Sequence, residues 1–169
     1  MDVYEAIRNR YSVREYQDRP VEDDKLNRVL DAGRLAWSAR NRQQWKFVVV
    51  RDAETRKAVV KASEQEWMAS APVIIAVVGL TPGETMFCDV PTDPVDCAIP
   101  IANMTLAATA EGLGSCWVGH FKQEETRKAL GVPDSAWIIE LLPLGYPADE
   151  PKPKSRKPLK EVVCHDRFS

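Results

Sequence analysis

Two patterns of apolar residues share this chain: helical spacing with polar residues between, and short unbroken runs of strand length. Asp2 is placed to cap a short first helix carrying Val3, Ala6 and Ile7 on one face. An Arg-rich polar stretch follows and closes at Pro20. Residues 22–36 repeat the helical pattern through Leu26, Val29, Leu30 and Leu35. Glu22, Asp23 and Asp24 fall in its first turn, where the helix dipole favours acids. After a polar loop at 38–44, residues 45–50 are dense in β-branched and aromatic side chains and predict a strand. Residues 53–68 predict a helix that ends before Pro72, and residues 73–78 an apolar strand buried on both faces. Prolines and a glycine mark residues 80–94 as a surface loop. Residues 98–111 predict a helix with little polar face, hence a central one, stopped by Gly112. Residues 115–120 read as short and extended, residues 123–130 as a helix ended by Gly131 and Pro133, and residues 138–144 as a strand. Residues 147–158 form an extended basic tail. Residues 159–164 predict a last strand, with Glu161, Val162 and Val163 suited to an edge that pairs with a partner's sheet.

Helices and strands mixed in this order, with the strands far apart in sequence, predict a sheet flanked by helices: one domain over residues 1–169, with 147–169 as a reaching tail. At 169 residues the chain can bury a real core. Its 23 Lys and Arg against 25 Asp and Glu leave a net charge of −2, no footprint for a general nucleic-acid binder. The N-terminal residues carry charge throughout and show no apolar leader segment, and the longest apolar run is too short to cross a bilayer. Cys88, Cys97, Cys116 and Cys164 lie far apart with no C-x-x-C pair, so reduced thiols in the cytoplasm are expected. His120 and His165 have no ligand-pair spacing with Cys116 or Cys164, and no metal site is expected.

Four clusters carry candidate chemistry. In Arg10-Tyr11-Ser12-Val13-Arg14, an extended backbone would send Arg10, Ser12 and Arg14 to one side, two guanidinium forks and a hydroxyl suited to an anionic ligand. The alternative is a solvated basic surface. The run from Trp37 through Ser38, Ala39, Arg40, Asn41, Arg42, Gln43 and Gln44 places polar groups just before a core strand, as ligand loops do, or is a helix end and turn. Gly112-Leu113-Gly114-Ser115-Cys116-Trp117-Val118-Gly119 lets backbone approach a flat ligand closely. Because it follows a helix, it is not a dinucleotide fingerprint. Lys154-Ser155-Arg156-Lys157 is either a disordered basic end or a clasp over a phosphate.

Taken together, R-Y-S-V-R-E-Y, S-A-R-N-R-Q-Q-W before V-V-V, A-P-V-I-I-A-V-V, G-L-G-S-C-W-V-G and P-K-P-K-S-R-K-P-L resemble the nitroreductase family of FMN-dependent NAD(P)H oxidoreductases. The resemblance runs over residues 3–168. It implies an α+β fold with a mostly antiparallel central sheet flanked by helices, a C-terminal strand exchanged between the subunits of a homodimer, and FMN at the interface. By matching position it implies Arg10 and Ser12, with Tyr11 between them, at the FMN phosphate and ribityl region, Arg156 on the phosphate, Lys154 nearby, and Arg14 against the flavin pyrimidine. It implies Trp37, Ser38, Ala39 and Asn41 of the partner over the ring, and Trp117, Val118 and Gly119 facing the edge that bears N5. Among Ser63, Gln65 and Glu66, Gln65 ranks first as a further flavin contact. Arg14, a fixed cation favouring reduced flavin, and Gly119 are the residues closest to the chemistry.

The implied activity passes electrons from NADH or NADPH through FMN to a small oxidised acceptor such as a nitroaromatic or quinone, in ping-pong order. A flavin sensor or storage protein is the alternative, as is a specialised enzyme that dehalogenates, dehydrogenates or consumes the flavin. Trp37 and Gln44 stand where the family commonly has proline, and the 80–94 loop is short.

Overall fold

In the computed structural model, which describes residues 1–168, the elements are α1 (Val3–Asn9), α2 (Asp23–Arg34), β1 (Trp45–Val50), α3 (Ala53–Ser63), β2 (Val73–Gly79), α4 (Thr92–Ala110), β3 (Gly114–Ser115), α5 (Gln123–Leu130) and β4 (Trp137–Gly145). The four strands form one antiparallel sheet in the order β1-β2-β4-β3. β2 is buried along its whole length, and its alternation divides the core. Val73, Ile75 and Val77 face α2 and α4 with Leu26, Val29, Ile101 and Met104. Ile74, Ala76 and Val78 face the other way, among Val59, Val60 and Met68. Two covered faces explain why the run shows no polar alternation. Each fully buried Val or Ile contributes about 1.5–3 kcal/mol.

The helix ends follow local chemistry. Asp2 and Glu5 close a reciprocal capping box on α1, and Gly131 ends α5 in the left-handed region. β1 and α5 span the residues expected for them.

Three elements differ from expectation. The helix predicted over 53–68 stops at Ser63. Glu64 turns left-handed at φ 53°, and a separate 3-10 turn, Glu66–Ser70, follows. No Gly or Pro signals the break. It is held from outside, by Lys122 N–H donating to the Ala62 carbonyl and by a Lys122–Glu64 ion pair at 2.8 Å. α4 begins at Thr92, inside the predicted loop, because Pro94 lies in the first turn, where a backbone N–H needs no helical partner. Residues 159–164 form no strand: a 3-10 turn, Leu159–Glu161, stands there, and all of 151–168 is exposed. A strand needs a neighbouring strand for its N–H and C=O groups, and no strand of the sheet pairs with this stretch among the described residues.

The α1 face also departs from the simple pattern. Ala6 is buried, but Val3 and Ile7 are exposed, as are Tyr4, Leu35 and Trp37. No helix among the described residues is long and apolar enough to cross a membrane.

Candidate functional site

Residues 12–14 run beside β3 at one edge of the sheet. Ser12 and Ser115 form a parallel bridge, and the Val13 N–H donates to the Ser115 carbonyl at 3.1 Å. The contact is close enough to require Gly114, since a Cβ there would lie 2.4 Å from a Val13 methyl. The chain returns to the same place after β4. The Gln17 N–H donates to Tyr146, the Ala148 N–H donates to Glu15, and Tyr16 bridges Pro147.

Between the segment and the returning tail lies a cleft of about 510 Å³. Six of the sequence-predicted residues line it: Arg10, Tyr11, Ser12, Arg14, Lys154 and Arg156. Asp149 and Lys152, which sequence reasoning missed, line it as well. Asp149 clamps the two strands of chain together. Its Oδ2 accepts the Arg14 backbone N–H at 3.0 Å and its carbonyl accepts the Tyr11 hydroxyl at 2.8 Å. Burial, then the Asp149 charge, raises the Tyr11 phenol, so this hydroxyl remains a donor.

Five cationic side chains face two carboxylates in this cleft. None of the five forms an ion pair with a carboxylate among the described residues. The Lys154 ammonium is held below its ordinary range, first by burial and then by Arg10 and Arg156 beside it. Cations that repel one another and lack a carboxylate partner make a site for an anion, and guanidinium forks with a hydroxyl match phosphate geometry.

Trp117, Val118 and Gly119 continue from β3 along the same edge, Val118 bridging Leu141 of β4 through 3.0 and 3.1 Å hydrogen bonds. They do not line the cationic cleft. Trp117 is about half exposed, and a Cβ built on Gly119 meets nothing within 4 Å. The fold of the protomer therefore leaves open space beside this backbone. Glu140 lies beneath it, buried to 1% exposure, its carboxyl pushed up to about 8 by burial. A lone acid in the run I-I-E-L-L was the available signal for it.

The loop holding Trp37, Ser38, Ala39 and Asn41 precedes β1, at the opposite edge of the sheet. Arg40, Asn41 and Gln43 all adopt positive φ, 53°, 54° and 53°, at a cost of about 1–2 kcal/mol each. Three bonds hold that geometry: the buried Asp96 carboxylate accepts the Ala39 N–H at 3.1 Å, the Ser38 hydroxyl accepts the Gln43 N–H at 2.8 Å, and Arg42 pairs with Glu84 at 2.5 Å. Trp37 is 71% exposed.

Gln65 sits in the turn after α3, its amide oxygen accepting the Trp67 indole N–H at 2.9 Å. Trp67 packs on Val13 and Tyr16, so Gln65 lies near the N-terminal segment without lining the cleft. Ser63 is fully buried and donates to the Val60 carbonyl, which occupies it in the helix end, while Glu66 is exposed.

Fold and site together define an antiparallel α+β protein with a cation-lined cleft at one sheet edge and a strained polar loop at the other. The model of the nitroreductase family matches residues 7–72 and 60–146, and the chain belongs to that family. It is 34% identical, over 89% of its length and 80% of the relative's, to a protein of Methanothermobacter thermautotrophicus described provisionally as an NADH dehydrogenase/NAD(P)H nitroreductase. An FMN reductase [NAD(P)H] of Bacillus subtilis shares 28% identity over 97% of this chain and 73% of its own. A crystal structure of a nitroreductase family protein from Clostridium difficile superposes with a TM-score of 0.90 at 33% identity, covering 99% of this chain and all of the other.

Proposed function

We propose that this chain is an FMN-dependent oxidoreductase that takes electrons from NADH or NADPH and delivers them to a small oxidised acceptor, such as a nitroaromatic or a quinone, in ping-pong order. The observation that carries this reading is the cationic cleft between residues 10–14 and 149–156. A phosphate monoester carries nearly two negative charges, and the guanidinium and ammonium groups of Arg10, Lys154 and Arg156, which form no ion pair with a carboxylate among the described residues, answer that charge. The cleft volume falls in the ordinary range for small-molecule sites.

When bound, FMN supplies the acceptance of hydride from the nicotinamide and its return to the acceptor. The chain's own residues bind and orient. Arg10, Ser12, Lys154 and Arg156 would hold the phosphate end. Arg14, its backbone fixed by Asp149, would place a permanent cation beside the pyrimidine and favour the reduced state. The 117–119 backbone, beside which the protomer leaves open space, would receive the ring edge. Trp37, Ser38, Ala39 and Asn41 would cover the ring from the partner subunit, and Gln65 would contact it from the turn after α3.

The working form in this reading is a homodimer in the cytoplasm, with neither nucleic acid nor a membrane as partner. Val3, Tyr4, Ile7, Leu35 and Trp37 are exposed, and so are Leu159, Val162 and Val163 of the tail. Such apolar surface suits an interface, and β1 offers an edge to an exchanged strand.

Visible absorbance of the purified protein, followed by anaerobic addition of NADH and then NADPH, tests the reading. The expected result is yellow protein with about one FMN per chain that bleaches with either nicotinamide. Protein that stays colourless and refuses added FMN would overturn it, and bound FMN that neither nicotinamide reduces would reject the enzymatic part.

A further inference from the structure

Two aspartates of α4, Asp93 and Asp96, are buried, and neither forms an ion pair among the described residues. Asp93 stands in the first helical turn, where the dipole favours an acid, and it accepts both the N–H and the hydroxyl of Thr81, at 3.0 and 2.5 Å. Asp96 lies beyond that turn. Both of its carboxylate oxygens accept a single donor, the Ala39 N–H, at 3.1 and 3.2 Å. Arg42 feels the Asp96 charge but is paired with Glu84. A buried carboxylate without a paired cation is costly, and an apolar side chain of the same branched shape would fill the place at lower cost. The stability of α4 therefore does not account for Asp96.

What Asp96 holds is the turn before β1. Arg40, Asn41 and Gln43 take positive φ there without being glycine. Their side chains are exposed, as are those of Trp37 and Arg42, so burial of these groups does not offset the strain. Such strain persists only where neighbours over-determine it, and it concentrates at ligand clamps. The Ser38–Gln43 bond lies within the turn itself, and the exposed Arg42–Glu84 pair contributes little. Asp96 instead ties the turn to the helix whose Cys97, Ile101 and Met104 belong to the core.

We propose that Asp96 is a positioning residue for the flavin site of the partner subunit: by accepting the Ala39 N–H it holds residues 38–41 in the shape that covers the ring there, so its effect on FMN is exerted on the other chain. The inference rests on the FMN assignment above, with the turn serving the partner's cofactor. An exposed turn held from the core meets its ligand already ordered, and preorganisation raises affinity by removing the ordering cost from the binding step. Without the Asp96 acceptor, the left-handed residues relax toward ordinary backbone, and the cover must be reordered each time FMN binds.

The test uses the full chain freed of flavin, as wild type, Asp96→Asn, Asp96→Leu and Asp96→Ala. Asparagine keeps one oxygen acceptor. Leucine keeps the branched shape, alanine empties it, and neither accepts, so the test stands on whichever of the two folds. Trypsin reads the turn without FMN: cleavage after Arg40 and Arg42 should quicken about tenfold in Asp96→Leu or Asp96→Ala and stay near wild type in Asp96→Asn. FMN titration should show about tenfold weaker binding by Asp96→Leu or Asp96→Ala, the lower end for losing one hydrogen bond to a charged group. Asp96→Asn should bind within about threefold of wild type. Mixing Asp96→Leu with Arg10→Ala separates an effect on the other chain from a general loosening of the fold. About one quarter of the sites, those joining the intact cradle of one chain to the intact turn of the other, should regain wild-type affinity. The proposal is overturned if the chains without an acceptor bind FMN as tightly as wild type or resist trypsin as well, if Asp96→Asn is as weak as they are, or if the mixture regains no tight site. Wild type that takes up no FMN overturns the cofactor assignment, and the proposal with it. Wild type and Asp96→Leu that bind FMN equally well leave the assignment standing and remove the role of Asp96 alone.

Discussion

The two edges of the sheet are built differently. At the β3 edge, one chain assembles a cluster of cations from its two ends and locks it with backbone hydrogen bonds to Ser115, Tyr146 and Glu15. At the β1 edge, a loop of polar residues is held in left-handed conformations by Asp96 and Glu84. Two strands, β2 and β4, lie between the edges. At sheet spacing that is a separation of roughly 14 Å. A single protomer therefore holds the cation-lined cleft and the polar loop at opposite sheet edges. The proposed function accordingly takes the cradle from one protomer and the loop from its partner.

Complementation separates a shared site from one built within each protomer. At FMN concentrations near the wild-type dissociation constant, Arg10→Ala leaves the cradle almost empty, and Ala39→Trp blocks the loop. If each site draws on both chains, mixing the two inactive variants restores about one quarter of the sites, because the mixed dimer has one intact site. If each protomer builds its own site, mixing restores none. NADH-dependent reduction by the mixture decides the matter.

Next in size is the cradle itself. Arg10→Ala or Arg156→Ala should weaken FMN binding about thirtyfold, the loss of one charge-assisted hydrogen-bond pair worth about 2 kcal/mol. Binding should also weaken as salt rises, which fluorescence titration will show.

Gly119→Ala is a smaller and more selective change. Open space surrounds the added Cβ within the protomer, so the melting temperature should stay within about 1 °C. FMN affinity should fall several-fold, as the methyl occupies the ligand's side of the backbone. A large loss of melting temperature would show that the glycine serves packing instead.

The smallest expected effect lies in stability against pH. Folding raises the Glu140 carboxyl from an ordinary 4.5 to about 8. Across that window the folded protein binds a proton that the unfolded chain has lost, so stability falls as pH rises from 4.5 to about 8 and levels off above. Glu22 has the opposite sign. Hydrogen bonds from the Tyr146 hydroxyl, its own backbone and Arg19 lower it to about 2, so its contribution is present above 4.5 and is lost toward 2. Glu140→Leu should flatten that slope between pH 4.5 and about 8 and raise the melting temperature at pH 8 by about 4 °C.

Much of this architecture is legible along the chain. Periodicity and capping locate β1, β2 and α5 to within a residue, because those signals are local: β-branched runs, Gly131 after α5, Asp2 before α1. The R-Y-S-V-R motif and the basic tail already show, in sequence, the cations that the fold gathers into one cleft. The break after Ser63 is not legible, since Lys122, nearly sixty residues away in sequence, supplies it. Nor is the Asp149 clamp, because an Asp beside Glu150 and Pro151 reads as one more polar residue of a tail.

The spacing along the chain determined α1, α2, α5, the buried centre of the sheet and the family motifs, all of which rest on short-range signals. Tertiary structure alone decided which ends of the chain meet, which edge each motif occupies, and that Glu140 lies dry beneath the 117–119 segment. The reason is physical. Hydrophobic periodicity and caps act within a few residues, whereas register, a bulge and the desolvation of a carboxyl depend on neighbours brought together only by folding.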